Sequence, residues 1–338
     1  MSYRQRVEYG HDFARPVDSS EGPSLVTLAL PRVRPDDPAG QVVAATFRKA
    51  VSRIAATESQ VRRGELEGIH RLRTTTRRLR SELLALECFV DPKWRKQIEE
   101  ELKWLAKSLG DVRDMDILQA RLTKAAAKRE EGGEHEAALA PLFAKFQSRR
   151  EQAAWSLSDA LHSDRYRGLL ANLEQAVSEP PLTDAAAEPC RAGLPPAARG
   201  AWRRLKKGGR SLGPDDPDQE FHDLRKTAKR ARYTAELIAP LISGGAAKSA
   251  DRFIHLVTEV QDVLGEHQDA VVAAHEIELG LAEYADDPVF VLAAQALLER
   301  EHDKAQATRR AFFKVWNKLD RKKPRRWLKI RRTARSEA

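Results

Sequence analysis

Cysteine, aromatic residues and long apolar runs are all scarce in this 338-residue chain. The two cysteines, Cys88 and Cys190, form no CxxC pair and have no Cys/His partner at metal-ligand spacing. A disulfide framework and a thiolate metal site are therefore excluded. Cys88 lies in an apolar helical pattern and reads as a small core residue. Aromatics are 6% of the chain, as expected of an all-helical composition dominated by Ala, Leu, Glu, Lys and Arg. No apolar run approaches the ~18 residues of a membrane span. The opening MSYRQRVEYGHDFARP lacks the apolar centre of a secretory signal. These absences together predict a soluble protein of the reducing cytoplasm.

Acid is also missing in one telling place. The formal charge is +9, but the tail at 321–338 holds nine Lys/Arg and one acid, leaving 50 basic and 49 acidic residues elsewhere. A nearly neutral body can bind an anion only by sorting its charge onto one face. The stretch IHRLRTTTRRLR at 69–80 contains no Asp or Glu. On a helical wheel with His70 at zero, Arg73, Arg77 and Arg80 fall at about 300°, 340° and 280°. Leu72, Leu79, Leu83 and Leu86 cluster at about 160–220°, so the basic stripe stands beside the core stripe. Thr74, Thr75 and Thr76 are small and are expected to keep the side of the helix open. Like charges at this spacing repel by a few tenths of a kcal/mol per pair. A solvated helix face is the ordinary meaning of a charge run.

The stripe occurs twice, and this decides between the readings. His70-Arg71-Leu72-Arg73 is matched by His222-Asp223-Leu224-Arg225, and Arg77, Arg78 and Arg80 by Lys229, Arg230 and Arg232, all offset by 152 residues. Lys226 sits at the edge of the second stripe. Downstream, Leu109-Gly110-Asp111 with Arg113-Asp114 is matched by Leu264-Gly265-Glu266 with Gln268-Asp269, offset by 155. The fold class predicted is all-α: two similar antiparallel helical bundles related by internal duplication and pseudo-two-fold symmetry. The boundaries expected are a loosely structured leader at 1–38, in which SLVTLAL is a short extended segment, and a first bundle at 39–180. A linker follows at 181–196, within a stretch carrying five prolines, then a second bundle at 197–320 and a basic tail at 321–338. Asp91-Pro92, Asp216-Pro217 and Asp287-Pro288 read as N-caps followed by Pro at the first helical position. Gly132-Gly133 and Gly244-Gly245 read as turns.

A duplicated basic stripe without internal counter-charge points to an external anion. Ten residues of helix span about 15 Å, too long for a single phosphate and suited to a linear polyanion. Arg fits phosphate oxygens with bidentate forks, and Lys adds a point charge. Neither stripe contains an aromatic, although Tyr233 follows the second, so the stacking platform usual for nucleic acid is missing. Inorganic polyphosphate suits such a groove.

HRLRTTTRRLRSELLALECF, HDLRKTAKRARYTAEL and LAKSLGDVRDMDIL resemble the signature helices of the conserved histidine α-helical domain, the CHAD family, over roughly residues 39–319. The resemblance implies two helical bundles about a pseudo-two-fold axis, binding inorganic polyphosphate through basic surfaces and a central pore, and an association with polyphosphate granules. Carried over by position, it points to His70, Arg73, Arg77, Arg78 and Arg80, with weaker additions at Lys107 and Arg113. In the second copy it points to His222, Arg225, Lys226, Lys229, Arg230 and Arg232. Asp262 and Gln268 stand where the first copy has Lys107 and Arg113. The leader is too short for a triphosphatase barrel, so a stand-alone module is expected.

Catalysis is the competing reading, as a metal-dependent phosphohydrolase; a nucleic-acid-binding helical protein is another. His70 and His222 lack a second His at i+3 or i+4 and are flanked by cations, which repel a dication. His222-Asp223 resembles an HD pair, but its counterpart is His70-Arg71. Asp111, Asp114 and Asp116 suit Mg²⁺ or, as the simpler expectation, a helix start after Gly110 paired with Arg113. No catalytic residue, cofactor, metal or membrane partner is assigned. A bound polyanion is expected to raise the histidine pKa values and tighten binding below pH 7. The tail is expected to act as a flexible anion-binding arm, with Trp327 packing on the body or stacking on a partner.

Overall fold

The computed structural model describes residues 33–126 and 137–329, and among them every regular element is a helix. The α-helices are α1 (Ala39–Arg62), α2 (Leu66–Ala85), α3 (Pro92–Ala126), α4 (Ala140–His162) and α5 (Asp164–Ser178), then the short α6 (Cys190–Gly193). They continue with α7 (Pro195–Ser211), α8 (Asp218–Ile238), α9 (Gly244–Glu283) and α10 (Pro288–Leu319). Residues 1–32 of the leader, SLVTLAL among them, the Gly132-Gly133 pair and the last nine residues lie outside the described residues.

Local chemistry sets most helix starts. Asp91 Oδ1 accepts the Trp94 N–H at 2.7 Å, and Asp287 Oδ1 accepts those of Val289 and Phe290 at 3.0 Å; both are N-caps as predicted. Asp216 is different. Its carboxylate closes a turn onto the Gly213 N–H at 2.8 Å, and Pro217 precedes the helix that starts at Asp218. The turn from α1 to α2 uses Gly64 at φ 69°, and Gly244 enters α9 at φ 65°, both left-handed positions that favour glycine.

Each basic helix is laid between neighbours in the same way. The first, α2, packs on α1 and α3; the second, α8, packs on α7 and α9; and α2 and α8 touch each other. The helices α3 and α9 run 35 and 40 residues without a break. Helix α3 therefore does not restart after Gly110, and Asp111, Asp114 and Asp116 lie mid-helix rather than at an N-terminus.

The core ignores the boundary between the halves. Phe47, Leu72 and Leu102 share one buried cluster with Trp202, Phe221, Phe253 and Phe312. A second cluster joins Leu122, Leu142 and Phe146 to Ile277, Phe290 and Leu297. The proline-rich stretch is pinned to the first helix: the Ala39 N–H donates to the Glu188 carbonyl at 2.8 Å. Cys88 is exposed and Cys190 buried, so the core role expected of Cys88 belongs to Cys190. Thr75 and Thr76 are buried rather than lining an open side, and the Thr76 hydroxyl donates to the Leu72 carbonyl at 2.8 Å.

The tail is not an arm as far as Lys329. Lys323–Lys329 forms a 3₁₀ segment. Trp327 and Leu328 are buried, the Trp327 ring standing edge-on to Phe253 at 5.5 Å.

Candidate anion-binding seam

Where α2 meets α8, cations of both stripes converge. Lys229 feels Arg225, Arg77 and Arg73 as its strongest like charges, and Arg225 feels Arg77 and Arg73. Arg73 lies over Gly110 of α3, and Arg225 over Gly265 of α9, with guanidinium atoms 3.7–3.9 Å from where a Cβ would stand. The matched glycines thus give each arginine a flat bed on the neighbouring long helix.

Two carboxylates enter this cluster from the same long helices. Arg73 Nη1 forms an ion pair with Asp114 Oδ1 at 2.9 Å. Asp269, the matching acid, is the largest favourable charge on Arg225, but no ion pair joins them. The carboxyl of Asp269 is raised, because burial outweighs the pull of Arg225 and Arg121.

The remaining cations are under-satisfied. The Nε atoms of Arg77, Arg113 and Arg225 are buried with no hydrogen-bond partner. Arg77 and Lys229 make no ion pair among the described residues. The Lys229 ammonium is pushed down to about 7, first by burial and then by repulsion from Arg225, Arg77 and Arg73 against the pull of Asp269. Buried charge without a partner is costly, and here it recurs at matched positions of two helices.

The histidines flank the cluster. His70 is exposed, and its pKa is lowered by burial of its ring and then by Arg113. His222 is half-buried and lowered by burial and then Lys226, while a hydrogen bond to Gln268 opposes. Its Nδ1 is buried without a partner. Arg113 and Gln268, matched in sequence, therefore attend the matched histidines, and the departure at Gln268 keeps a role. In the free protein both histidines are shifted towards the neutral form.

Not every stripe residue is open. Arg78 is held by Glu82 and Glu236, each at 2.7 Å, and lies over the Tyr233 ring at 5.4 Å. Arg232 also pairs with Glu236 at 2.7 Å. Lys226 pairs with Asp223 at 2.9 Å. These three carry their own counter-charges, contrary to the expectation of an uncompensated stripe. Arg80 and Arg230 lie near each other and make no ion pair among the described residues; neither does Lys107, which is exposed on α3.

Sequence reasoning overlooked Asp114, Asp269, Glu82 and Glu236 as part of the site. The last two had a signal: each stands four residues after an arginine, Glu82 after Arg78 and Glu236 after Arg232. No group of three or more His, Cys, Asp or Glu converges among the described residues. Asp116 turns away from Asp114 to meet Arg150 at 2.7 Å.

Comparison with known proteins bears on this arrangement. The CHAD domain family model matches residues 45–278, which includes both basic helices and both glycine beds. The chain belongs to the CHAD family. Two uncharacterised Mycobacterium tuberculosis proteins, MT2285 and Rv2226, are each 29% identical over 300 residues, covering 85% of this chain and 54% of theirs. The chain thus spans about half the length of the curated relatives it matches. Among solved structures, PptA from Streptomyces chartreusis has a TM-score of 0.69 at 22% identity, covering 83% of this chain and 100% of its own. The CHAD domain from the plant Ricinus communis gives 0.68 at 22%, covering 86% and 95%. Those likenesses show the all-α CHAD fold. No helix among the described residues is long and apolar enough to cross a membrane.

Proposed function

We propose that the α2–α8 seam binds inorganic polyphosphate and that the protein acts as a binding module without a catalytic step of its own. The observation that carries this reading is the cluster of Arg77, Arg113, Arg225 and Lys229, in which Arg77 and Lys229 hold matching positions. Three buried guanidinium Nε atoms lack partners, and the Lys229 ammonium is pushed down to about 7 by burial and then by its cationic neighbours. A phosphate chain supplies several adjacent negative groups at once and satisfies forks and ammonium together. The family is linked to polyphosphate binding in general, which agrees with the chemistry. Arg80, Arg230, Lys107 and the two histidines extend the track, whereas Arg78, Arg232 and Lys226 contribute field rather than free donors. A cytoplasmic protein recruited to polyphosphate granules is the setting this reading implies.

The test offers long-chain polyphosphate, RNA and duplex DNA to the full chain at physiological salt, with and without Mg²⁺. Preferential polyphosphate binding without released phosphate is expected. Phosphate release points to a phosphohydrolase, and equal or tighter binding of RNA or DNA points to a nucleic-acid-binding protein; either result defeats the reading.

A further inference from the structure

Charge is sorted along the longest helix as well as across the seam. Between Arg252 and Arg300 the chain has ten acids and no Lys or Arg, a stretch that takes in most of α9 and the start of α10. Residues 189–214 are the opposite, with no Asp or Glu, and α7 within them carries six Lys/Arg. Helix α7 lies beside the beginning of α9, where the Trp202 ring meets Phe253 at 5.7 Å. Glu283, the last residue of α9, is thirty residues further on, about 45 Å along the axis. One end of the molecule is therefore basic and the other acidic.

The acidic end carries an apolar knob. Val289 and Leu292, three residues apart and so neighbours on one side of α10, are 63% and 68% exposed. Single exposed apolar residues are ordinary, but a pair at the tip of a hairpin makes a patch. The tip is well seated. Phe290 points inward onto Gly280 and meets the Tyr284 ring at 4.9 Å, and Asp287 caps the helix start. Asp286 precedes the knob and Glu299 follows Leu292 by two turns on the same side of α10. Both are exposed and make no ion pair among the described residues. Glu276 and Glu283 are already held by Arg149 and Lys145 of α4.

The basic end carries a matching hollow. A cleft of about 370 Å³ opens between α7 and the tail, with Trp202 and Leu328 among its lining. Both are buried, so the cleft presents chiefly the aliphatic stems of the Lys and Arg side chains around them, whose charged ends reach out to water. The hollow is apolar and its rim cationic. Arg210 and Arg325 are neutralised by Asp320. Arg203, Lys322 and Lys329 make no ion pair among the described residues, and they leave the rim with a net positive charge.

We propose that the α9–α10 tip of one molecule docks into the α7–tail cleft of a second copy, so that the chain associates head to tail. The fit is double. Val289 and Leu292 offer an apolar knob to an apolar hollow, and Asp286 and Glu299 meet the cationic rim. The residues after Lys329, IRRTAR, repeat the rim's own sign, so an acidic tip suits the cleft better than the chain's own end. The distance of about 45 Å between tip and cleft keeps one molecule from closing on itself. The two surfaces differ, so the contact is heterologous and adds copies in a row instead of ending at a dimer. One tip in one cleft buries less than the ~1,200 Å² of a standard interface, so the association is weak and shows at high protein concentration. It uses none of the seam residues and does not depend on the polyphosphate reading.

The experiment is sedimentation velocity on the full chain, free of polyphosphate and nucleic acid, over a range of protein and salt concentrations. Wild type is expected to grow in mean mass with protein concentration and to fall back as salt rises. V289S/L292S, D286K/E299K and R203E/K322E/K329E are each expected to need about tenfold or more protein for the same growth. All the substituted positions are exposed, so each variant should melt close to wild type. An equimolar mixture of D286K/E299K with R203E/K322E/K329E is expected to associate as wild type does, because each reversed surface finds its opposite on the other chain; misfolding would give no such regain. A wild type that stays monomeric at every concentration overturns the inference. So does a closed dimer that survives the rim reversal, growth indifferent to V289S/L292S, or a mixture that regains nothing.

Discussion

Lys229 shows how a single residue carries both the strain and the chemistry of the seam. Its pKa in the fold is about 7 against an ordinary 10.5. A folded pKa below the unfolded one means that folding disfavours the charged form. That penalty is complete below about pH 7 and fades as the pH rises from 7 towards 10.5. Lys229→Met is therefore expected to stabilise the free protein by on the order of a few kcal/mol at pH 6–7, and the gain should vanish near pH 10. Thermal melts across this range check it; a gain independent of pH would contradict it. Binding runs the other way. A phosphate chain restores the ammonium's proton, so affinity tightens as the pH falls from about 10 to 7, and Lys229→Met flattens that trend. The histidines are shifted below 6.5 in the free protein; a bound polyanion that raises them makes binding tighten further as the pH falls below 7.

At the scale of the element, the two basic helices differ in what lies behind the stripe. Glu236 on α8 holds both Arg78 and Arg232, while the matching position in α2 is Leu84. Glu236→Gln should cost about 1–3 kcal/mol of stability. It should also leave Arg232 without its ion pair and Arg78 with Glu82 alone, and tighten polyphosphate binding several-fold. Denaturant unfolding and titration on the same sample test both effects, and weaker binding after correction for the folded fraction would count against this account. The helices themselves were legible because apolar spacing and Asp-Pro caps are local signals. The matched spacing was legible because both basic helices keep His and Arg, and both long helices Gly, at fixed offsets. The ion pairs were only half legible: Arg78–Glu82 is an i,i+4 pair, but Arg78–Glu236 depends on how α2 crosses α8. Likewise, nothing local distinguishes Gly110 and Gly265 as beds for arginine from helix breaks. Cys88 was misplaced because α2 ends at Ala85, just before the residue that its pattern would have buried.

At the scale of the molecule, the halves share one core and meet across α2 and α8, so the seam belongs to neither half alone. The long helices α3 and α9 bring Asp114 and Asp269 to it from opposite halves, two acids among a larger number of cations. The resulting excess of positive charge is compact and partly buried. Polyphosphate affinity should therefore fall steeply with added salt, as counterion release requires. The most direct measurement is a calorimetric titration of short polyphosphate into wild type and an Arg77→Ala/Arg225→Ala double variant, at pH 7 and moderate salt. The seam account predicts a loss of about 30–100-fold for the double variant, or roughly 2–3 kcal/mol, with a melting temperature equal to or above that of wild type. Binding as tight as wild type in a folded double variant would contradict it.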